Sequence, residues 1–555
     1  MFFEVERIGR LNTELRTFVY PNMTQVENYK IKKGKIDFNE AMKEEGWQDF
    51  HPHERWGGEL EADRHYWFRN TITIPTELDG QTVIYHVKTG VESGWDLANP
   101  QLVVYVNGTL IQGLDIRHRD IMLSKQAKTG DVFEIAMFAY AGIKGGLIEL
   151  ESQISGLDTS SEGLYYDLKV PLEVAVLLDK QDKRRIDILK YLTKAVNMLD
   201  FRKPFSHGYY EGVRNARAFL KTEFYDKYCG DADVTVSCVG HTHIDVAWLW
   251  TLSQTREKVV RSFSTVLNLM KEYPEYIFMS SQPQLYEYLK EAQPEIYEQI
   301  KERVSEGRWE PEGAMWVEAD CNVTSGESLI RQILFGTRFF KQEFGVENKI
   351  LWLPDVFGYS AALPQILKKS GIDYFMTSKL GWNEYNGMPY DTFNWRGIDG
   401  TEVLTHFITA QSPTFMPTPH AVSYNGRIDA PHLVSAWRKY SEKFAHNEVL
   451  MAFGYGDGGG GPTKEMLEQS RRFEKGIPGC PKSKMAKSLD FFQGLNDAVD
   501  GNKKLPNWVG ELYLEFHRGT LTTMGRNKRH NRKAEFLYRD AELWSLVANK
   551  HLQKK

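Results

Sequence analysis

From about residue 232 the hydrophobic pattern alternates between short apolar runs and stretches with a three-to-four-residue period, and that alternation limits the fold more than any other feature. Val234-Thr235-Val236-Ser237-Cys238-Val239 reads as a buried strand, and Val259, Val260, Phe263, Val266, Leu267 and Met270 then lie on one helix face. Ile277-Phe278-Met279 is the next strand, and Leu285, Leu289, Ile296, Ile300 and Val304 fall on helices around Pro294. Ile350-Leu351-Trp352-Leu353, Tyr374-Phe375-Met376, residues Val403 to Phe407 and Val449 to Phe453 continue the series. Strands alternating with helices predict a parallel α/β unit, whose functional groups collect where strands end and loops begin.

The rest of the chain reads differently. Between about 65 and 178 strand-and-turn spacing predominates, as in Tyr66 to Ile74 before Pro75, and in Leu102 to Val106 running into the hairpin signal Asn107-Gly108. This predicts an antiparallel sandwich of jelly-roll type. Ile186, Leu189, Leu192, Val196 and Leu199 mark a helical connector, and Phe536, Leu537, Leu543, Trp544 and Val547 mark a terminal helix. The expected divisions are 1–178 for the sandwich with its leading segment, 179–230 for the connector, 231–506 for the α/β unit and 507–555 for the start of a helical bundle.

Charge and cysteine content narrow the function classes. With 69 basic and 74 acidic side chains the net charge is −5, which argues against nucleic acid or an anionic membrane as the main partner. The basic run Arg526, Lys528, Arg529, Arg532 and Lys533 reads as the solvated face of a helix. No stretch reaches about 18 apolar residues, so no membrane span is expected. The acidic N-terminal stretch lacks a signal-peptide pattern, and the four cysteines form no close pair, so a cytoplasmic location is expected.

Four clusters carry candidate chemistry, the first three just after an apolar run. Gly240-His241-Thr242-His243-Ile244-Asp245 would place His241, His243 and Asp245 on one side of an extended chain, as a metal site or as a hydrogen-bonded strand end. Pro354-Asp355-Val356-Phe357-Gly358 exposes a carboxylate at a strand rim, unless Asp355 serves as a cap. In Gly454-Tyr455-Gly456-Asp457-Gly458-Gly459-Gly460-Gly461-Pro462-Thr463, no Gly-Lys-Ser/Thr follows, so it is not a P-loop. Its glycines permit close backbone approach and unusual φ, and Asp457 is its only acid. Phe516-His517-Arg518-Gly519-Thr520 offers a lone histidine.

Taken in order, these four clusters resemble glycoside hydrolase family 38, the α-mannosidases, in their cytosolic and bacterial branch. Gly307 to Pro311, Met315 to Glu318, Tyr390 to Leu404, Glu54 to Gly58 and Tyr105 to Gly108 extend the likeness over nearly the whole chain. The resemblance implies a multidomain α/β protein: an N-terminal β-sandwich, a central parallel α/β barrel of about seven strands and the start of a helical bundle. Members usually continue into C-terminal β domains, which the sequence to Lys555 lacks.

By the same resemblance one Zn²⁺ is expected, held by His243, Asp245, Asp355 and His517. Asp355 would also be the nucleophile. Trp248, His241, Trp316 and Asp320 would line the sugar site. The lysosomal and Golgi relatives carry two adjacent acids where this chain has Asp457-Gly458, so Asp457 takes the acid/base role here, with Glu318, Asp320 and Glu515 as fallbacks. The implied reaction is retaining hydrolysis of terminal α-mannosides of oligosaccharides, through a glycosyl-aspartate. The implied partners are a mannose-containing glycan, no nucleic acid and no membrane, and the pattern is compatible with a homo-oligomer. Two other readings compete: a zinc-dependent polysaccharide deacetylase, and a sugar-binding protein without turnover.

Overall fold

The computed structural model describes residues 3–52, 54–57, 64–89, 100–142, 147–230, 232–411, 421–500 and 505–552. Gly58 of the motif beginning at Glu54 lies outside them. The sandwich is present as two antiparallel sheets. One has four strands, in the order Thr24–Gln25, Glu151–Gly156, Val83–Lys88 and Asp120–Ser124; the other has six, with His65–Thr73 and Val132–Tyr140 at its centre. Asn107 and Gly108, at φ of 49° and 78°, make the predicted tight turn between Gln101–Val106 and Thr109–Leu114. Phe68, Tyr85, Val104, Met137 and Leu150 fill the space between the sheets.

The strand reading does not hold as far as residue 178. Thr159–Leu177 is a helix, capped by Asp158, whose side chain accepts from the Ser161 N–H at 2.7 Å. Leu164, Tyr165, Tyr166, Leu168, Val170, Pro171 and Val174 are all buried, so the helix is apolar almost all round. That erases the helical period, and Pro171 within the helix compounds the ambiguity. With Glu4–Thr17, Lys183–Val196 and His207–Phe219, it forms a helical layer whose core is continuous with the α/β unit.

The expected parallel barrel is replaced by two five-stranded sheets. In the first, Trp309–Pro311, Phe278–Ser280, Thr235–His241 and Glu448–Phe453 run parallel, and Lys482–Met485 pairs with the start of Thr235–His241. The second has the order Ile350–Trp352, Tyr374–Thr377, Glu402–Phe407, Thr392–Arg396 and Asn507–Val509. Its Thr392–Arg396 strand is antiparallel to Glu402–Phe407, because the intervening segment is a tight hairpin rather than a crossover helix. Among the described residues, the pairing between the sheets shrinks to the bridge Gly313–Leu351.

The C-terminal helix Gly525–Leu552 buries none of its residues. It leans on Gly326–Phe344 through polar contacts: Glu535 accepts from the Ser325 N–H, and Arg331 makes bonds of 2.6 and 2.8 Å to Glu542. Among the described residues no helix is long and apolar enough to cross a membrane.

The sandwich packs closely on helix Leu252–Glu272. A Cβ on Gly113 would lie 1.8 Å from Arg261 Cγ, and the Gly113 N–H donates to Thr265 Oγ1 at 3.0 Å. Gly113→Ala is therefore expected to destabilise the chain by about 1–3 kcal/mol, as overpacking does. Denaturant unfolding measures this, and a loss below about 0.5 kcal/mol, the range of ordinary surface changes, would show that the interface yields freely.

Candidate active site

The chemical residues gather at the C-terminal ends of the strands. His241 ends Thr235–His241, with His243 and Asp245 just beyond it; Asp355 follows Ile350–Trp352, Lys379 follows Tyr374–Thr377, and Asp457 follows Glu448–Phe453. Among the described residues, His243, Asp355 and Asp457 each offer a ligand atom within 4.8 Å of the others. Asp245 Oδ1 is 3.3 Å from His243 Nε2, and Asp355 Oδ2 is 3.6 Å from the same nitrogen. The other ring nitrogen, Nδ1, lies 3.2 Å from Glu318 Oε2.

The single-face expectation for His241, His243 and Asp245 is corrected. The strand stops at His241, and the chain then turns to bridge Ile244 with Gly458, so the alternation does not persist. His241 is buried against Trp352, whose indole N–H donates to its Nε2 at 3.3 Å. Burial and the neighbouring His243 push His241 down to about 3, which keeps it neutral.

The group suits a divalent cation. His243 is 3% exposed, and neither of its ring nitrogens makes a hydrogen bond of good geometry, although carboxylates face both. A buried imidazole between acids, with its nitrogens otherwise unspent, fits the role of a metal ligand. Burial alone would lower its pKa, but Glu318 and Asp245 outweigh that and hold it well above the usual histidine range.

The two carboxylates of most interest differ in surroundings. Asp355 Oδ1 pairs with the Lys379 ammonium at 2.5 Å, and Lys379 is wedged over Trp382, 4.1 Å from the ring centroid. Asp457 accepts from the Tyr424 hydroxyl at 2.8 Å and from Asn425 Nδ2 at 3.5 Å. Its pKa is raised, chiefly by burial and, with His243 opposing, by the nearby charge of Asp355.

Backbone geometry explains the glycines. Asp457 holds a left-handed φ of 64°. A Cβ on Gly454 would stand 2.2 Å from the His241 carbonyl oxygen, and one on Gly456 would stand 2.3 Å from Asn425 Oδ1. The loop thus closes on the strand ends more tightly than any side chain allows.

Other expected residues lie outside this group. His517 is exposed, at φ 59°, with its ring 4.7 Å from that of Phe357; Asp355 and Lys379 act on it with opposite sign. It borders a cleft of about 530 Å³ lined also by Phe357, Tyr513 and Phe516. Trp248 is half-exposed and meets Trp250 edge-on. The Trp316 indole donates to Gln284 at 3.2 Å, with its ring against Phe339. Asp320 accepts from the Asn322 and Val323 N–H groups in its own turn, and Glu515 accepts from the Tyr385 and Asn386 N–H groups. Sequence reasoning missed Lys379 and Tyr424. Position just past an apolar strand, the cue used for Asp355, also holds for Lys379 after Tyr374–Thr377.

Comparison with known proteins identifies the family. Residues 233–511, half of the 555-residue chain, match the glycosyl hydrolases family 38 N-terminal domain, and residues 20–151 match the alpha-mannosidase jelly roll domain. The chain belongs to glycoside hydrolase family 38. It is 36% identical to Alpha-mannosidase G of Dictyostelium discoideum over 85% of this chain and 42% of that protein. It is 34% identical to human Alpha-mannosidase 2C1 over 87% of this chain and 45% of that protein. With the Alpha-mannosidase of Saccharomyces cerevisiae it shares 39% identity over 60% of this chain and 31% of that protein. The chain thus spans less than half the length of these curated relatives. An alpha-mannosidase structure from Enterococcus faecalis V583 matches 50% of this chain and 31% of its own, at 19% identity and a TM-score of 0.43.

Proposed function

We propose that this chain forms the catalytic unit of a zinc-dependent retaining α-mannosidase that hydrolyses terminal α-mannosides of oligosaccharides. The observation carrying this reading is the approach of Asp355 and Asp457 to within 4.8 Å, in unlike surroundings, beside a buried histidine. Retaining glycosidases use two carboxyl groups about 5–5.5 Å apart, one ionised and one protonated.

In the first step an Asp355 oxygen bonds to the sugar C1 while the C1–O glycosidic bond breaks, and Asp457 gives its proton to the departing oxygen. Water then attacks C1, Asp457 takes back a proton, and the Asp355 carboxylate is released. Lys379 fixes the orientation of Asp355 through Oδ1, and Tyr424 fixes Asp457. His243, Asp245 and Asp355 would hold the zinc ion, with His517 as fourth donor only if its exposed ring turns in from the neighbouring cleft, and the ion would supply Lewis-acid binding of sugar hydroxyls. Glu318 faces His243 Nδ1, which suits it to orient that ring rather than to donate a proton to the substrate. All four cysteines are free thiols, which accords with the expected cytoplasmic location.

The test is hydrolysis of 4-nitrophenyl α-mannoside by the full chain, paired with metal analysis. The expected result is one zinc per chain, loss of turnover on chelation with recovery on zinc addition, and an α-configured first product by NMR. An inverted product, or turnover that survives removal of the metal, would sink the reading. Acetate release from an acetylated polysaccharide would favour the deacetylase.

A further inference from the structure

The Asp457 loop is held from outside its own domain. Within 454–463, Tyr455 and Gly461 exchange two backbone hydrogen bonds of 2.9 and 2.8 Å, making a small closed turn with Asp457 at its tip. The outer side of that turn meets two elements. From helix Leu252–Glu272, Arg261 donates to the Gly458 carbonyl at 2.6 Å, and Ser262 Oγ accepts from the Gly460 N–H at 2.9 Å. From the sandwich comes the turn 115–118. There Asp115 Oδ1 accepts from the N–H groups of Arg117 and His118 at 2.8 and 2.9 Å and lies 3.0 Å from His118 Nδ1. The far nitrogen of His118 is 2.9 Å from the Pro462 carbonyl oxygen, to which it donates. Arg117 lies over the Tyr455 ring, 4.6 Å from its centroid, and Asp115 packs so closely that a Cβ on Gly460 would come within 3.4 Å of it.

We propose that the jelly-roll turn 115–118 is a positioning element for Asp457, so that acid-assisted hydrolysis on the α/β unit depends on the β-sandwich. The inference rests on reading Asp457 as the proton donor. The Asp115 carboxylate accepts from His118 Nδ1–H and so orients the ring, whose Nε2–H donates to the Pro462 carbonyl and anchors it. With Arg117 on Tyr455, the sandwich grips both stems of the loop, while Asp457 pays for its left-handed backbone with these contacts. The sandwich reaches no reacting atom by this route. It sets where the acid stands.

The test compares the wild type with His118→Ala, His118→Gln and Arg117→Ala on two substrates, a dinitrophenyl α-mannoside and an α-linked mannobiose. The dinitrophenolate leaves without a proton, whereas the sugar alcohol needs one, so a displaced acid affects only the second substrate strongly. Expected for His118→Ala is a fall in kcat of about 10- to 100-fold on mannobiose, below about 3-fold on the activated substrate, with KM nearly constant. His118→Gln keeps an N–H for Pro462 and should recover most of the loss. Equal losses on both substrates, or no loss, would overturn the proposal.

Hydrogen exchange separates this proposal from the proposed function. If the wild type hydrolyses neither substrate, the mannosidase reading fails for this chain, and the clamp is judged on exchange alone. Amides in 454–462 should exchange about 10-fold faster in His118→Ala, while Thr235–His241 is unchanged. Unaltered exchange in 454–462 would overturn the clamp. Should His118→Ala not fold, Arg117→Ala and His118→Gln carry the same comparison.

Discussion

Asp355→Asn is expected to lower turnover of 4-nitrophenyl α-mannoside by at least about 10³-fold while leaving the fold intact, since removing a nucleophile costs more than removing a group that assists it. The amide matches the carboxylate in shape, so packing against Phe357 and Trp382 through Lys379 is preserved. What changes is charge. Lys379 loses its ion-pair partner 2.5 Å away, and the acids facing His243 fall by one, from Asp245, Glu318 and Asp355 to the first two. Zinc content should therefore fall as well, and the two losses can be separated. At zinc concentrations high enough to restore stoichiometry, a nucleophile mutant stays inactive, whereas a mutant that had lost only a ligand recovers. An activated fluoro-mannoside sharpens the contrast, because nothing in Asp355→Asn can bond to C1. Recovery of near-wild-type kcat with added zinc would remove Asp355 from the nucleophile role.

How much of this was legible in the sequence depends on how local the signal is. Strands such as Glu448–Phe453 and Ile350–Trp352 were readable because burial on both faces leaves a short apolar run. The rim position of Asp355 and Asp457 followed directly from it. Helix Thr159–Leu177 was not readable, since a helix buried all round loses the periodicity that identifies it. Barrel closure failed for a related reason: strand count says nothing about register, and among the described residues the two sheets part where Gly313 and Leu351 alone still pair. The Asp399-Gly400 turn that reverses Thr392–Arg396 against Glu402–Phe407 is a hairpin signal of the kind used for Asn107-Gly108, and it sat inside a stretch matched as a family motif instead. In the site, the acids were visible by placement, whereas Lys379, Tyr424 and the turn 115–118 act through contacts over distances no motif spans.

Asp457→Asn decides whether that residue is the acid or a third carboxylate on the cation, since its side chain belongs to the convergent group either way. As the acid, it must be protonated at the start of the cycle. Burial and Asp355 raise its pKa, so the protonated form persists to higher pH than in an ordinary carboxyl, and activity is lost as pH rises through that raised value. Replacement by Asn should then cost about 10²- to 10⁴-fold in kcat on an unactivated mannoside, abolish the alkaline limb of the pH profile and leave bound zinc at one per chain. The loss should shrink on a dinitrophenyl mannoside, where no proton is needed for departure. It should also be partly reversed by azide, a small nucleophile that can replace water in the second step without base assistance. As a ligand, Asp457 would give the opposite pattern: zinc content and activity fall together on both substrates, and zinc addition restores both. The Tyr424 hydroxyl, donating to Asp457 Oδ1 at 2.8 Å, holds the side chain in place and by itself lowers the pKa, but burial is the larger effect and leaves it raised, as the first outcome requires.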